Sequence, residues 1–212
     1  MATDVRVIVA NLLGFYDFGG KVMLSVGAGG GQLAEYGYAA RRVIAVDPDP
    51  QALAKLAQRV TALGLDSRFE LVERDFLAVS RAVDVVLFEF CLHELTEPEA
   101  ALRHAAQLAP DVIVLDHAPG SPWAHCVDET EKVQRSWGVI DRWGTRAERR
   151  YEAVQSFATH AELVERVRSQ GDEAIRRVSV FRSRSRIEIP MSYALAWLVP
   201  PSRPVVALGG RG

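Results

Sequence analysis

The chain of 212 residues has only two cysteines, Cys91 and Cys126. That is too few for a disulfide scaffold, so both are read as reduced thiols. No apolar run approaches the ~20 residues of a membrane helix. The start, Met1-Ala2-Thr3-Asp4-Val5-Arg6, lacks a basic lead into a cleavable apolar stretch. These absences point to a cytoplasmic protein without a membrane partner. No internal repeat and no low-complexity segment is present. Charge of neither sign dominates, with a net charge of −2, although it is divided unevenly. Residues 1–130 hold 10 Lys/Arg and 18 Asp/Glu, whereas residues 131–186 hold 13 and 8. The strong basic excess and stacking aromatics that mark nucleic-acid binders are missing. Arg182, Arg184 and Arg186 alternate as one solvated side of a strand does, and Arg149-Arg150 lie among acids. Several catalytic signatures are missing as well. His93-Glu94-Leu95-Thr96-Glu97 lacks the second histidine of H-E-x-x-H, Cys91-x-His93 lacks paired zinc spacing, and there is no G-x-S-x-G elbow or P-loop lysine. On these spacings no metal is expected.

What the chain does have is 49% hydrophobic residues, enough for a core of ordinary size in one α/β domain spanning 1–212. Strand-like apolar runs alternate with helical patterns. Residues 5–16 suggest a short amphipathic helix. A helix over 51–62 is introduced by Asp49-Pro50, and another begins at Glu97-Pro98 and runs through Gln107. Strands are predicted at 42–46, 69–72, 83–88 and 111–115. Thr159 and Glu162 are spaced as a capping box for a helix over 159–169. The runs 174–183 and 187–199 read as two strands able to pair as a hairpin, and 200–212 is a tail rich in proline and glycine.

The most informative stretch is Val22-Met23-Leu24-Ser25-Val26, a continuously apolar strand, followed at once by Gly27-Ala28-Gly29-Gly30-Gly31. Glycines there let the backbone turn tightly and approach a ligand where a Cβ would collide. A helix opening near Gly31-Gln32 is expected to direct free N–H groups at that ligand. Sixteen residues past Gly31 the next strand ends at Asp47, whose carboxylate can accept from both hydroxyls of a ribose. A dinucleotide fingerprint, G-x-G-x-x-G, needs a third glycine where Gln32 stands.

The G-x-G-x-G pattern instead resembles the first motif of class I S-adenosylmethionine-dependent methyltransferases, and the resemblance extends over about residues 10–199. It implies a Rossmann-like fold: a single-domain, mostly parallel, seven-stranded sheet with helices on both faces and an antiparallel last strand beside the fifth. It implies S-adenosyl-L-methionine as cofactor and transfer of its methyl to a small-molecule oxygen, nitrogen or carbon acceptor. Carried over residue by residue, Gly27, Gly29 and Gly31 form the loop, Asp47 takes the ribose and Pro48 lies against adenine. Asp75 accepts from the adenine amino group, with Phe76 as a packing or backbone contact, and Glu89 and Phe90 lie along the methionine portion. One departure is Ser25, which stands where many relatives carry an acid toward the methionine amino group. His93 and His117 are the candidate catalytic bases. Residues 118–157, with Trp123, Trp137, Trp143 and Tyr151, fall where relatives insert substrate-covering elements. Tyr16 and Phe18 complete the pocket from the N-terminal side if position alone is followed. Two other readings stay open: an NAD-dependent oxidoreductase using Asp47 for its ribose, and a non-catalytic cofactor-binding module.

Overall fold

A computed structural model of the chain describes residues 5–199. Five strands, β1 (Val22–Val26), β2 (Arg42–Asp47), β3 (Phe69–Glu73), β4 (Val85–Glu89) and β5 (Asp111–His117), are mutually parallel. Two longer strands, β6 (Thr145–Phe157) and β7 (Ile187–Leu198), complete one sheet in the order β3-β2-β1-β4-β5-β7-β6. β7 is antiparallel to both of its neighbours, β5 and β6. The flanking α-helices are α1 (Val5–Phe15), α2 (Pro50–Ala62), α3 (Pro98–Leu108), α4 (Pro122–Cys126), α5 (Thr130–Trp143), α6 (His160–Val167) and α7 (Asp172–Val178). No helix of the described residues is long and apolar enough to cross a membrane.

The central strands are apolar throughout because both of their faces are covered. Alternation along β1 and β4 sends Met23, Val85 and Leu87 toward α1, α4, α6 and α7, and Leu24, Val86 and Phe88 toward α3 and α5. Strand order reverses between β1 and β4, each of which neighbours the other while the chain winds outward in opposite directions. The crevice outside the carboxyl ends of such a pair is where open α/β sheets bind ligands, because the two following loops part there.

Three local expectations are corrected. No α-helix opens at Gly31-Gln32; a 3-10 turn at Ala34–Tyr38 follows instead. The chain has to return to β2 within a few residues, and a Cβ at Gly37 would come within 2.4 Å of the Phe69 ring, so the turn is pressed flat against β3. The run 174–183 is helical, as α7 and a 3-10 turn at Ser179–Phe181, despite its valines. Asp172 and Glu173 in its first turn and Arg176 and Arg177 in its last complement the helix dipole, while Ala174 and Val178 are buried one turn apart. The hairpin partner of β7 is therefore β6, which comes from the stretch read as a substrate cover. β6 is an edge strand, and its charged Arg146, Glu148, Arg149, Arg150 and Glu152 protect that edge. The capping box holds in altered form: Thr159 accepts from the Glu162 N–H, while the Glu162 carboxylate receives the N–H of Ala158. The tail over 200–212 lies outside the described residues.

Candidate functional site

The loop after β1 is bent at three alternate residues, Gly27, Gly29 and Gly31, with φ of 70°, 51° and 72°. At Gly27 the need for glycine is also steric. A Cβ there would lie 2.4 Å from the Cys91 Cβ and 2.6 Å from its sulfur. Cys91 is brought so close because Phe90, just past β4, takes a left-handed conformation with φ of 49°, which folds the chain back toward β1. The Phe90 N–H donates to the Leu115 carbonyl at 2.7 Å and its ring packs on His117, which hold that strained turn in place. The Cys91 thiol donates to the Val26 carbonyl. At Gly29, by contrast, a Cβ would meet only the Gly27 carbonyl oxygen, at 3.7 Å, and the loop is open on that side.

Ser25 and Glu89 share a face at the tips of adjacent strands. The Ser25 hydroxyl donates to Glu89 Oε2 at 3.2 Å and receives the Tyr36 hydroxyl at 3.0 Å. Glu89 is buried, and burial pushes its carboxyl up to about 8; the Tyr36 and Ser25 hydrogen bonds oppose this and the charge of Asp47 reinforces it. A carboxyl is thus present at this end of the sheet, on β4 beside Ser25 of β1. Asp47 is buried at the end of β2, with Oδ1 receiving the N–H of Asp49. Pro48 and Asp75 are exposed, and Asp75 Oδ1 already receives the Leu77 N–H. The Phe76 ring is core, edge-on to Phe88 and His104, so any contact it makes with a ligand is through its backbone.

A cavity of about 760 Å³ runs from Gly27–Gly30 past Glu89 and Phe90 to His93, His117 and Glu129. Such a volume suits a small-molecule site. Its far wall comes from Val5 and Ile8 of α1, Trp123, and Glu162, Glu165 and Arg166 of α6. Asp47, Pro48, Asp75 and Phe76 are not among its walls. Tyr16 and Phe18, expected beside the cofactor, are instead core residues. The Tyr16 hydroxyl donates to Asp111 at the start of β5, the opposite end of the sheet.

The two histidines differ sharply. His93, on a 3-10 turn at Leu92–Glu94, is 2% exposed, with Nδ1 2.6 Å from Asp116 Oδ1 and Nε2 3.3 Å from Glu129 Oε2 and 3.5 Å from Glu94 Oε1. Burial alone would lower its affinity for a proton, but the three carboxylates raise it well above the usual histidine range. Burial dominates at His117 and lowers it to about 4. Its Nδ1 is buried without a partner, and its carbonyl receives the Trp137 indole N–H at 2.7 Å, which ties α5 to the end of β5. Trp137 is therefore core, and Trp143 packs against the same cluster. Trp123 alone of the segment's tryptophans reaches the cavity, stacked on Phe157. Asp116 and Glu129 escape sequence reasoning. Asp116 reads as the polar end of a strand, and Glu129 reads as one of three acids in Asp128-Glu129-Thr130-Glu131, whose neighbours in space, His93, Glu94 and His117, lie 36, 35 and 12 residues back in the chain.

A family model described as a methyltransferase domain matches residues 24–111. No curated protein matches the chain. Among solved structures, a candidate methyltransferase from Bacillus halodurans is similar, at a TM-score of 0.66 and 14% identity over 92% of this chain and 99% of that one. A SAM-dependent methyltransferase from Aquifex aeolicus has a TM-score of 0.59 and 18% identity over 93% and 90%. Magnesium protoporphyrin IX methyltransferase from Synechocystis, solved with SAM bound, has a TM-score of 0.54 and 15% identity over 91% and 77%. At such identities the likeness is one of fold.

Proposed function

We propose that the chain is a class I, S-adenosylmethionine-dependent methyltransferase, a reading supported by the family match over residues 24–111 and by the shared fold, and that it acts as a single cytoplasmic domain and methylates a small-molecule acceptor at oxygen, nitrogen or carbon. The observation that carries this reading is the continuous cavity from the glycine loop to His93 and His117, at the point where strand order reverses. When bound, the cofactor supplies a methyl already activated as a sulfonium. The protein then has to align the acceptor, exclude water and, for a hydroxyl or amine, remove a proton.

The residues present fit that cofactor. Gly29 leaves open space where any side chain would intrude, and Glu89 brings a carboxyl to the loop in place of the acid that Ser25 lacks. In this assignment Gly27, Gly29 and Gly31 shape the backbone around the methionine tail, Glu89 receives its ammonium and Phe90 lies along its chain. Asp47 holds the ribose, Pro48 covers adenine and Asp75 takes the adenine amino group. His117 is the acceptor's base, because both ring nitrogens of His93 face carboxylates whereas His117 keeps an unpartnered nitrogen. His117→Gln is then expected to lower kcat by about 10²–10⁴. Steady-state kinetics on the first acceptor found would show it, with KM for the cofactor unmoved; an unchanged kcat removes His117 from the chemistry.

A small acceptor is favoured over nucleic acid by charge. The arginines of the basic third are mostly paired, Arg146 with Asp111, Arg168 with Glu165, Arg177 with Asp128 and Arg186 with Glu188. The cavity itself presents Glu94, Glu129, Glu162 and Glu165, which repel a phosphate backbone.

Calorimetric titration tests the assignment: S-adenosylhomocysteine binds and NAD does not, whereas the reverse result makes the chain an oxidoreductase. Asp47→Ala is expected to weaken S-adenosylhomocysteine by about 1–3 kcal/mol, through loss of ribose hydrogen bonds to a charged acceptor. Equal affinity would place the ribose elsewhere. Tight cofactor binding with no acceptor methylated across a broad metabolite panel would favour a binding module.

A further inference from the structure

We propose that His93, Glu94 and Glu129 form a binding site for one divalent transition-metal cation at the acceptor end of the cavity. The first argument is geometric. His93 Nε2 stands 3.3 Å from Glu129 Oε2 and 3.5 Å from Glu94 Oε1, and one ligand atom from each residue lies within 4.8 Å of the others. Ligand bonds of about 2.1 Å at tetrahedral angles put neighbouring ligand atoms about 3.4 Å apart, so the two measured separations match the edges of a metal tetrahedron. The second argument is the partner on the far side of the imidazole. Asp116 Oδ1 is 2.6 Å from His93 Nδ1, the carboxylate–histidine arrangement that fixes a ligating ring and aims its other nitrogen at a metal.

The third argument is charge. Glu129 is only 4% exposed, and Asp116 is fully buried. With Glu94, three carboxyl groups face one imidazole and outnumber the two ring nitrogens that could partner them. Lys132 relieves Glu94 only at its outward oxygen, Oε2, and leaves Oε1 turned to His93. A further buried group beside the cluster lacks a partner. His117 stands with Nε2 4.0 Å from Glu129 Oε2, and its Nδ1 is unbonded within the protein. One imidazole and two carboxylates, with the Cys91 thiol turned away to Val26, suit zinc, manganese, iron or cobalt better than magnesium or calcium.

All three ligands line the cavity, so the fourth position opens toward the acceptor, as in catalytic rather than structural metal sites. This part of the inference rests on the methyl-transfer reading. A cation held there would make an acceptor hydroxyl more acidic, His117 would take its proton, and the methyl would come from the sulfonium that the bound cofactor supplies. No spacing motif announces the site, because Glu129 lies just ahead of α5, far along the chain from the other two ligands.

The test is titration of Co2+ into the metal-free full-length protein, followed by visible absorption and calorimetry, with S-adenosylhomocysteine titrated into the same samples. One Co2+ per chain is expected, with the absorption of a four- or five-coordinate ion. Affinity should fall roughly tenfold or more in both Glu94→Gln and Glu129→Gln. Glu94 is half-exposed at the rim, so its variant reports on ligation without a folding defect even if Glu129→Gln is unstable. Absence of saturable absorption, or absorption that Glu94→Gln leaves unchanged, overturns the site. Cobalt failing while S-adenosylhomocysteine binds overturns the metal and spares the cofactor reading; the opposite pattern does the reverse.

Discussion

Glu89→Gln is expected to make the protein more stable in mild alkali and a poorer binder of its cofactor. In the folded chain Glu89 keeps its proton up to about pH 8, against 4.5 for an ordinary carboxyl. Below pH 4.5 both the folded and unfolded states hold that proton, and the stability of the native state is undiminished. Between 4.5 and 8 only the folded state holds it, so stability falls by about 1.4 kcal/mol per pH unit; above 8 the loss is complete, at most about 5 kcal/mol. Glutamine keeps an oxygen for the Ser25 hydroxyl and has nothing to ionise. Denaturant midpoints should therefore coincide for the two proteins near pH 4 and separate by several kcal/mol at pH 8.5. Cofactor binding should move the other way. A buried carboxylate facing an ammonium contributes about 1.5–3 kcal/mol, so affinity for S-adenosylhomocysteine should fall roughly 10- to 100-fold. Binding to the wild type should also release a proton, and affinity should rise with pH until about 8. Stability curves that stay superimposed at pH 8.5 would mean that Glu89 is ionised in the free protein. Unaltered affinity would detach it from the cofactor.

Gly27→Ala is expected to cost about 2–5 kcal/mol, combining a side chain at positive φ with overpacking against Cys91. Gly64 provides the control. Its φ of 67° is nearly the same, yet a Cβ there meets nothing within 4 Å, so Gly64→Ala should lose only the conformational part, about 1 kcal/mol. Cys91→Gly removes the atom that the new methyl would strike. The pair Gly27→Ala and Cys91→Gly should show a favourable coupling of about 0.5–3 kcal/mol in a double-mutant cycle. Thermal unfolding measures all four. If Gly27→Ala costs no more than Gly64→Ala, the close approach of the two strand-end loops is not a feature of the molecule in solution.

How far the site was legible varies residue by residue. The glycine bend and the place of Asp47 at the end of β2 were readable because local backbone demands and strand periodicity are written in neighbouring residues. Ser25 stood out as a departure, but its buried partner Glu89 was visible only as one polar residue after an apolar strand. Their contact depends on β1 and β4 being adjacent and in register, which links residues 64 positions apart. The opposite failure occurred at 174–183, where valine-rich composition suggested a strand. Tertiary packing of Ala174 and Val178 against α4 and α6 decided for helix.

The residue order alone determined that this chain would build a mostly parallel sheet with a glycine turn after its first strand, since continuous apolar runs, their spacing and the turn residues act over short stretches of chain. Which side chains meet at the sheet's carboxyl edge was decided only by the fold. Ser25 with Glu89, and His93 with Asp116 and Glu129, come together because parallel strands joined by crossovers align residues far apart in sequence, and burial there lets a few carboxylates set the charge of everything between them.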